Sequence, residues 1–122
     1  MRLTDAQQER YARHLLLDEL GGGGQERLLA SSVRVRGEGR VVRWAARYLT
    51  ASGVGTLVLD DPAAAAECRA LSPDVRLPDP HEWRGKTDLD LDLAGRAGTS
   101  SSSAAELGAM AAMRAVRELS RR

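Results

Sequence analysis

Two glycines separated by one residue, Gly37 and Gly39, lie where a short segment of alternating valine and arginine passes into a run with helical periodicity. Glycines in such a turn allow backbone amides to approach a phosphate group, and the N-terminus of the following helix adds partial positive charge. Arg40 follows directly and could add a guanidinium charge, although a solvated arginine at the start of a helix is the simpler interpretation. The chemistry indicated by these residues is phosphate or nucleotide binding.

The segments around this turn have the pattern of a βαβ unit. Residues 32–36 alternate valine with arginine, residues 40–52 repeat apolar side chains at helical spacing, and residues 56–59 form a continuous apolar run. Gly53 is a natural helix terminator. We therefore predict a strand, a helix and a second strand, with the glycine turn at the ligand-facing end of the sheet. The alternating arginines imply that water or a partner covers one face of the first strand.

The remaining segments predict further helices and one strand. Thr4 and Gln7 fit a capping box that begins an N-terminal helix, and a second helix at about 25–30 would direct Leu28 and Leu29 inward. The second half predicts a helix at 63–71, a strand at 88–93, a polar connection at 98–103 and an amphipathic helix at 104–119. We treat residues 1–122 as one domain with N-terminal helices (1–31), a βαβ core (32–61), a shortened second half (62–103) and a C-terminal helix (104–122).

Several motifs along the chain resemble a known family when they are taken together. In order they are RYARHLLL (10–17), GQERLL (24–29), GEG (37–39) and ASGVGTL (51–57), before the paired acids DD (60–61). The set resembles the ThiF/MoeB/HesA family of ubiquitin-activating-like adenylyltransferases. This resemblance implies an α/β, Rossmann-like, three-layer domain with a mostly parallel sheet, reduced relative to the family.

The resemblance also implies roles for individual residues. Gly37 and Gly39 would face the phosphates of ATP, and Asp61 would hold its ribose, whereas a plain turn aspartate before Pro62 is the alternative for Asp61. Arg40, which replaces a family glycine, could offset some lost phosphate contacts with its charge.

The chain departs from the family pattern where catalysis would take place. Arg40 and Val42 occupy the third and fourth glycine positions of the G-x-G-G-x-G turn, and Gly95 falls at the place of a metal-binding aspartate. After Asp61 the family's N-x-x-R-Q segment and its phosphate-binding lysine are absent. Charge neutralisation and positioning supply nearly all of the catalysis in this kind of transfer. We therefore expect weak ATP binding or none, no bound magnesium, and no efficient adenylation by this chain alone.

Composition narrows the remaining function classes. The formal net charge of +1 and an aromatic content of 3% without phenylalanine argue against nucleic acid as a partner. No apolar run approaches membrane-spanning length, and the single cysteine and polar N-terminus favour a cytoplasmic setting.

Cys68, His14 and His81 are too widely spaced for a zinc site, so we expect no metal. Cys68 fits a small buried helix residue better than a thioester nucleophile. The alternating aspartates of 88–92 could bind a cation, but such alternation usually marks an exposed strand face.

Three functions remain open. The first is a degenerate, non-catalytic partner subunit that dimerises or binds a ubiquitin-like, sulfur-carrier or peptide tail. The second is a reduced ATP-dependent adenylyltransferase that is complete only as an oligomer, and the third is a self-assembling scaffold without nucleotide. The consecutive Leu15–Leu17 cannot all lie on one helix face, which favours a homo-oligomer or a heterodimer with a full-length relative.

Arg13 provides a test that separates a partner subunit from an inert scaffold. The resemblance implies that this arginine reaches across a dimer interface into the neighbouring nucleotide site, as an arginine finger does. Arg13→Ala should leave folding nearly intact and lower adenylate formation by a co-purified full-length relative by a large factor. Unchanged activity in a complex shown to form would identify Arg13 as an ordinary surface charge paired with Glu9 or Asp18.

Overall fold

A computed structural model of the chain describes residues 26–96 and 101–121. After a helical turn at 26–29, its elements run in the order β1 (Ser32–Arg36), α1 (Arg40–Ser52), β2 (Thr56–Leu59), α2 (Pro62–Leu71), β3 (Leu89–Asp92) and α3 (Ser101–Ser120). The predicted N-terminal helix, with its capping box and Leu15–Leu17, lies outside the described residues.

The sheet is parallel and has the strand order β2-β1-β3. Beyond β2, Arg76 forms an isolated parallel bridge with Thr56. With this bridge included, the order across the sheet is that of the first four strands of a doubly wound fold, 3-2-1-4. The prediction of a small Rossmann-like α/β domain with a parallel sheet is therefore confirmed.

The core lies on one face of this sheet. In β1, Val33 and Val35 are fully buried, and through the strand register they share a face with Leu57 and Leu59 of β2. Buried residues of all three described helices belong to the same apolar cluster. The described residues thus supply helices to this face, and α1 packs between α2 and α3.

The arginines of β1 lie on the opposite face, as their alternation predicted. Arg34 is largely buried, with 19% of its side chain exposed, and pairs with Asp60, whereas Arg36 is half exposed and pairs with Asp90 on β3. Charged side chains on this face are thus partly neutralised within the fold.

The packing of α3 on α1 depends on a glycine. A Cβ atom added at Gly108 would lie 2.5 Å from the Cβ of Trp44 and 2.7 Å from the backbone nitrogen of Ala45. The indole of Trp44 stacks on Tyr48 with ring centroids 5.7 Å apart, and the guanidinium of Arg47 lies 4.6 Å from the centroid of its ring. Trp44 therefore takes part both in the aromatic pair and in the close helix crossing.

Two local predictions are wrong. Leu29 was expected to point inward, but it is 66% exposed while its neighbour Leu28 is fully buried, because a single helical turn buries only one of two adjacent side chains. The second wrong prediction is the end of the polar connection, which we placed at residue 103, whereas α3 already begins at Ser101. Serine favours the first positions of a helix, and its polarity obscures the helical pattern there. No helix in the described part of the chain combines the length and apolar character needed to cross a bilayer.

Gly108→Ala tests the helix crossing. In an open helix this change would stabilise the protein by about 0.5–1 kcal/mol, but overpacking a tight contact costs about 1–3 kcal/mol. We expect a net loss of stability in urea unfolding, with no such loss for Glu106→Ala on the exposed side of α3. A stabilised Gly108→Ala variant would show that the two helices separate readily.

Candidate functional site

The carboxyl-terminal edge of the sheet brings most of the predicted site residues together. Gly37 and Gly39 follow β1, Asp60 and Asp61 follow β2, and Gly95 lies in the turn after β3. In a doubly wound sheet, ligands bind outside this edge, between the strands where the connections reverse direction. Here that position lies between β1 and β3. Arg13, the remaining candidate, lies outside the described residues.

At this position the two turns touch each other. Gly37 and Gly39 both adopt positive φ angles, 108° and 115°, which residues with side chains rarely adopt. A Cβ atom on Gly37 would lie 2.8 Å from both the Cα and the backbone nitrogen of Ala94. Gly37 is thus required for the contact between the turn after β1 and the turn after β3, whether or not a ligand binds nearby.

Asp61 is buried and directs its carboxylate into the fold. Its Oδ2 accepts a hydrogen bond from the N–H of Gly39 at 3.0 Å, and its Oδ1 accepts from Ala63 and Ala64 at 2.9 and 3.3 Å. The residue is only 7% exposed and forms the N-cap of α2, with Pro62 at the first helical position. Three of the roughly four acceptor positions of this carboxylate are therefore in use.

Asp60 likewise accepts a hydrogen bond from the first glycine of the turn, Gly37. Its Oδ2 accepts a hydrogen bond from the N–H of Gly37 at 3.2 Å, and its Oδ1 lies 3.4 Å from Nη2 of Arg34. Sequence reasoning assigned no role to Asp60, although the adjacent acids at the end of a strand were visible. Both glycine amides that could face a phosphate therefore donate to carboxylates of this chain.

Basic groups near the site are mostly engaged elsewhere. Arg40 is exposed as the first residue of α1, whose N-terminus has neither a side-chain cap nor an acidic residue in its first turn. One turn later, Nε of Arg43 donates to Glu67 of α2 at 2.8 Å. This hydrogen bond raises the pKa of Arg43 above its usual value. Arg47 also approaches Glu67, at 3.8 Å.

The alternating aspartates near β3 contribute to the fold. Asp88 accepts a hydrogen bond from the N–H of Ser32 at 2.8 Å, and Asp92 accepts from that of Ala94 at 3.1 Å. Asp90 binds Arg36 at 2.9 Å, and its hydrogen bond raises the pKa of that arginine. Within residues 26–96 and 101–121, no group of three or more histidine, cysteine or acidic side chains is arranged to hold a metal ion.

Cys68 belongs to the core rather than to a reactive surface. It is fully buried in α2, among the apolar residues that pack against α1. The prediction of a small buried helix residue is confirmed.

The fold and this edge define a class of protein: a small α/β domain with a Rossmann-type strand–glycine turn–helix unit, followed by an acidic pair after the second strand. Comparison with known proteins agrees with this class. The chain is 49% identical over 59 residues to the SAMP-activating enzyme E1 of Haloferax volcanii, a match that covers 48% of this chain and 22% of that enzyme. It is 46% identical over 59 residues to the sulfur carrier protein ThiS adenylyltransferase of Escherichia coli, a match that covers 48% of this chain and 24% of that enzyme.

A third relative points the same way. The heterocyst protein HesA of Trichormus variabilis is 42% identical over 57 residues, which cover 47% of this chain and 21% of HesA. No protein-family model matches the chain. The chain is thus similar to ThiF/MoeB/HesA-type adenylyltransferases over about half its length, and it spans less than a quarter of the length of these three relatives.

Replacing Asp61 tests its structural role. Losing an N-cap costs about 0.5–2 kcal/mol, and losing the part-buried hydrogen bond from the N–H of Gly39 adds about 0.5–1.5 kcal/mol. We expect Asp61→Ala to lower the free energy of unfolding by about 2–3 kcal/mol and Asp61→Asn, which keeps one acceptor oxygen, to lower it less. Urea unfolding measures both, with the exposed Asp74→Ala as the charge-matched control. Equal stability of Asp61→Ala and this control would contradict the assignment.

Proposed function

We propose that this chain is a non-catalytic partner subunit built on an adenylyltransferase scaffold, which dimerises or binds the tail of a small ubiquitin-like or sulfur-carrier protein. One observation supports this above all: the amides of Gly37 and Gly39 donate to the carboxylates of Asp60 and Asp61. The groups that would face a nucleotide are used to join the turns of the sheet.

Electrostatics supports the same proposal. A phosphate placed on these amides would lie against two carboxylates or have to displace them. Two like unit charges 4 Å apart repel by about 4 kcal/mol at the effective dielectric constant near a protein surface. In the described part of the chain, Arg34 and Arg43 are already paired with Asp60 and Glu67, and the exposed Arg40 and Arg96 remain to offset part of that repulsion. The site does not fit a triphosphate, and we propose that nucleotide binding is weak or lost.

The relatives suggest the kind of partner. Two of them carry names that state their protein targets, SAMP and the sulfur carrier protein ThiS. By inheritance, the partner of this chain would be a protein of that class or a full-length adenylyltransferase of the same group. The same sequence similarity is equally compatible with an adenylyltransferase, since Gly37, Gly39 and Asp61 are all present.

Exchange of labelled pyrophosphate into ATP distinguishes these functions. We expect the chain alone, with magnesium and a sulfur-carrier protein, to give no exchange above a buffer control, and calorimetry to detect no ATP binding at micromolar concentration. Exchange that Asp61→Asn abolishes and the exposed control Asp74→Asn leaves unchanged would establish an adenylyltransferase instead. If exchange is absent and light scattering finds no complex with a carrier or a full-length relative, the partner-subunit proposal is wrong and a self-assembling scaffold is favoured.

A further inference from the structure

We propose that the outer edge of β3, together with the side of α3 that lies over it, is a docking site for an extended segment of a partner protein in which basic and apolar residues alternate. The segment would pair with β3 as an additional strand. The inference rests on the proposed function, because it names the surface through which a non-catalytic subunit would hold its partner.

The outer edge of β3 has no neighbouring strand in residues 26–96 and 101–121. The N–H of Leu93 donates to the carbonyl of Arg36 at 3.1 Å, so the backbone groups of Leu93 point toward β1. Backbone direction alternates along a strand, and the pairing of β1 with β2 fits the same alternation. The N–H and C=O groups of Asp90 and Asp92 therefore point outward, away from β1.

These outward backbone groups belong to exposed residues. Asp90 and Asp92 are both exposed, and 45% of the Asp90 side chain is accessible to solvent. Just before the strand, the N–H of Asp88 turns inward to the carbonyl of Ser32 at 2.9 Å, so the open part of the edge begins at Asp90. Exposed N–H and C=O groups along a strand edge are a template for pairing with another extended chain.

The charge of this edge disfavours a second copy of the chain as the occupant. Asp90 and Asp92 lie on one face of β3, and pairing two copies of β3 would set carboxylates beside carboxylates. Like charges directly opposite each other in a sheet are destabilising. Arg36 pairs with Asp90 from β1 at 2.9 Å, which leaves the two carboxylates in excess over this one guanidinium. Basic side chains at alternate positions of an added strand would complement them.

The helix α3 adds an apolar surface beside the same edge. Because α2 contacts β2, α3 contacts β3 and α1 lies between the two helices, the side of α3 away from α1 lies toward the outer edge of β3. At about 100° per residue, Met110 and Met113 lie about 160° and 140° around α3 from Gly108, the residue in contact with α1. Met110 is 55% exposed, and Met113 is half-buried.

The two faces of an added strand would thus meet different surfaces. Its basic residues would lie beside Asp90 and Asp92. Its apolar residues would lie beside Leu89 and Leu91, which are half-buried and pack against the core, and would contact the methionines of α3. Methionine is unbranched and adapts to side chains of different shape. This surface therefore specifies a segment of alternating character rather than one that is uniformly basic or uniformly apolar.

Titration of the ¹⁵N-labelled 122-residue chain with a synthetic peptide tests the inference. The probe is a heptapeptide with blocked ends in which lysine and valine alternate. We expect it to shift the amide resonances of Asp90 and Asp92 and to slow their hydrogen exchange, with an apparent Kd of about 1 mM or tighter. The amide of Leu57, which already donates to the carbonyl of Arg76, should not shift.

Two matched peptides serve as controls. One groups the lysines at one end and the valines at the other, and the second keeps the alternation but carries glutamate in place of lysine. Both should bind about tenfold more weakly, because neither places basic residues beside the aspartates at strand spacing. Equal binding of the grouped peptide would reveal a general attraction between charges and overturn the proposal. Slow hydrogen exchange at Asp90 and Asp92 in the free protein would also overturn it, since the edge would then already be paired.

A pair of variants at one position separates backbone pairing from charge. Asp90→Pro and Asp90→Ala both remove the carboxylate, but only proline removes the outward N–H, which takes no part in the ladder with β1. We expect Asp90→Pro to bind the lysine–valine peptide about tenfold more weakly than Asp90→Ala does. Equal binding by the two folded variants would show that no strand pairing occurs.

Charge reversal and a change on α3 give independent measurements. Asp92→Lys should shift the preference toward the glutamate–valine peptide, whereas the exposed control Asp74→Lys should leave the preference unchanged. Met110→Ser should weaken binding about threefold, and Leu71→Ser, at the exposed end of α2, should not. Should Asp90→Pro fail to fold, Asp92→Lys still decides the question, since an unchanged preference would contradict the proposal.

The pyrophosphate-exchange assay separates this inference from the proposed function. Absence of peptide binding together with absence of exchange would overturn the docking site and leave the non-catalytic proposal standing. Exchange by a chain that binds the lysine–valine peptide would overturn the non-catalytic proposal and leave the docking site standing.

Discussion

The hydrogen bonds that the Asp61 carboxylate accepts hold the turns at the carboxyl-terminal edge of the sheet in place. It accepts hydrogen bonds from the turn after β1 and from the first turn of α2, and Asp60 beside it joins Gly37 to Arg34. A tight strand-to-helix turn leaves backbone amides without intrahelical partners. Because the two acids provide acceptors from within the chain, the starts of α1 and α2 are held at fixed positions relative to the sheet.

This arrangement has a chemical consequence. A backbone amide that donates to a buried carboxylate is not available to a phosphate, and the carboxylate itself repels one. Sequence similarity to adenylyltransferases and a charge distribution suited to nucleotide binding are separate properties of a chain. The similarity extends over about half of this chain. The contacts of Gly37, Gly39 and Asp61 bear on the charge distribution and support the proposal that nucleotide binding is weak or lost.

The helices that cover the sheet determine how the rest of the described domain packs. In residues 26–96 and 101–121, three short strands and the helices α1, α2 and α3 build the core on one face of the sheet, and the close crossing at Gly108 brings α3 against α1. The strand that would extend the sheet beyond β2 is reduced to the single bridge at Arg76, because Pro78 cannot supply the next hydrogen bond. A cavity lined in part by Leu57, Leu59 and Pro78 lies beside this bridge.

The sequence alone determined the local elements, since periodicity and glycine positions predicted β1, α1 and β2 at the bounds that the structure has. Its motifs also predicted the similarity to adenylyltransferases that comparison finds over about half of the chain. It also brought Gly37, Gly39 and Asp61 forward as the candidate site. Only the tertiary structure decided what those residues contact. Asp60 pairs with Gly37, 23 positions away along the chain, and Asp61 pairs with Gly39, 22 positions away. The contact between Gly108 and Trp44 joins residues that are still farther apart in the sequence. Such contacts follow from strand register and helix packing, whereas helical and strand periodicity reports only on near neighbours along the chain.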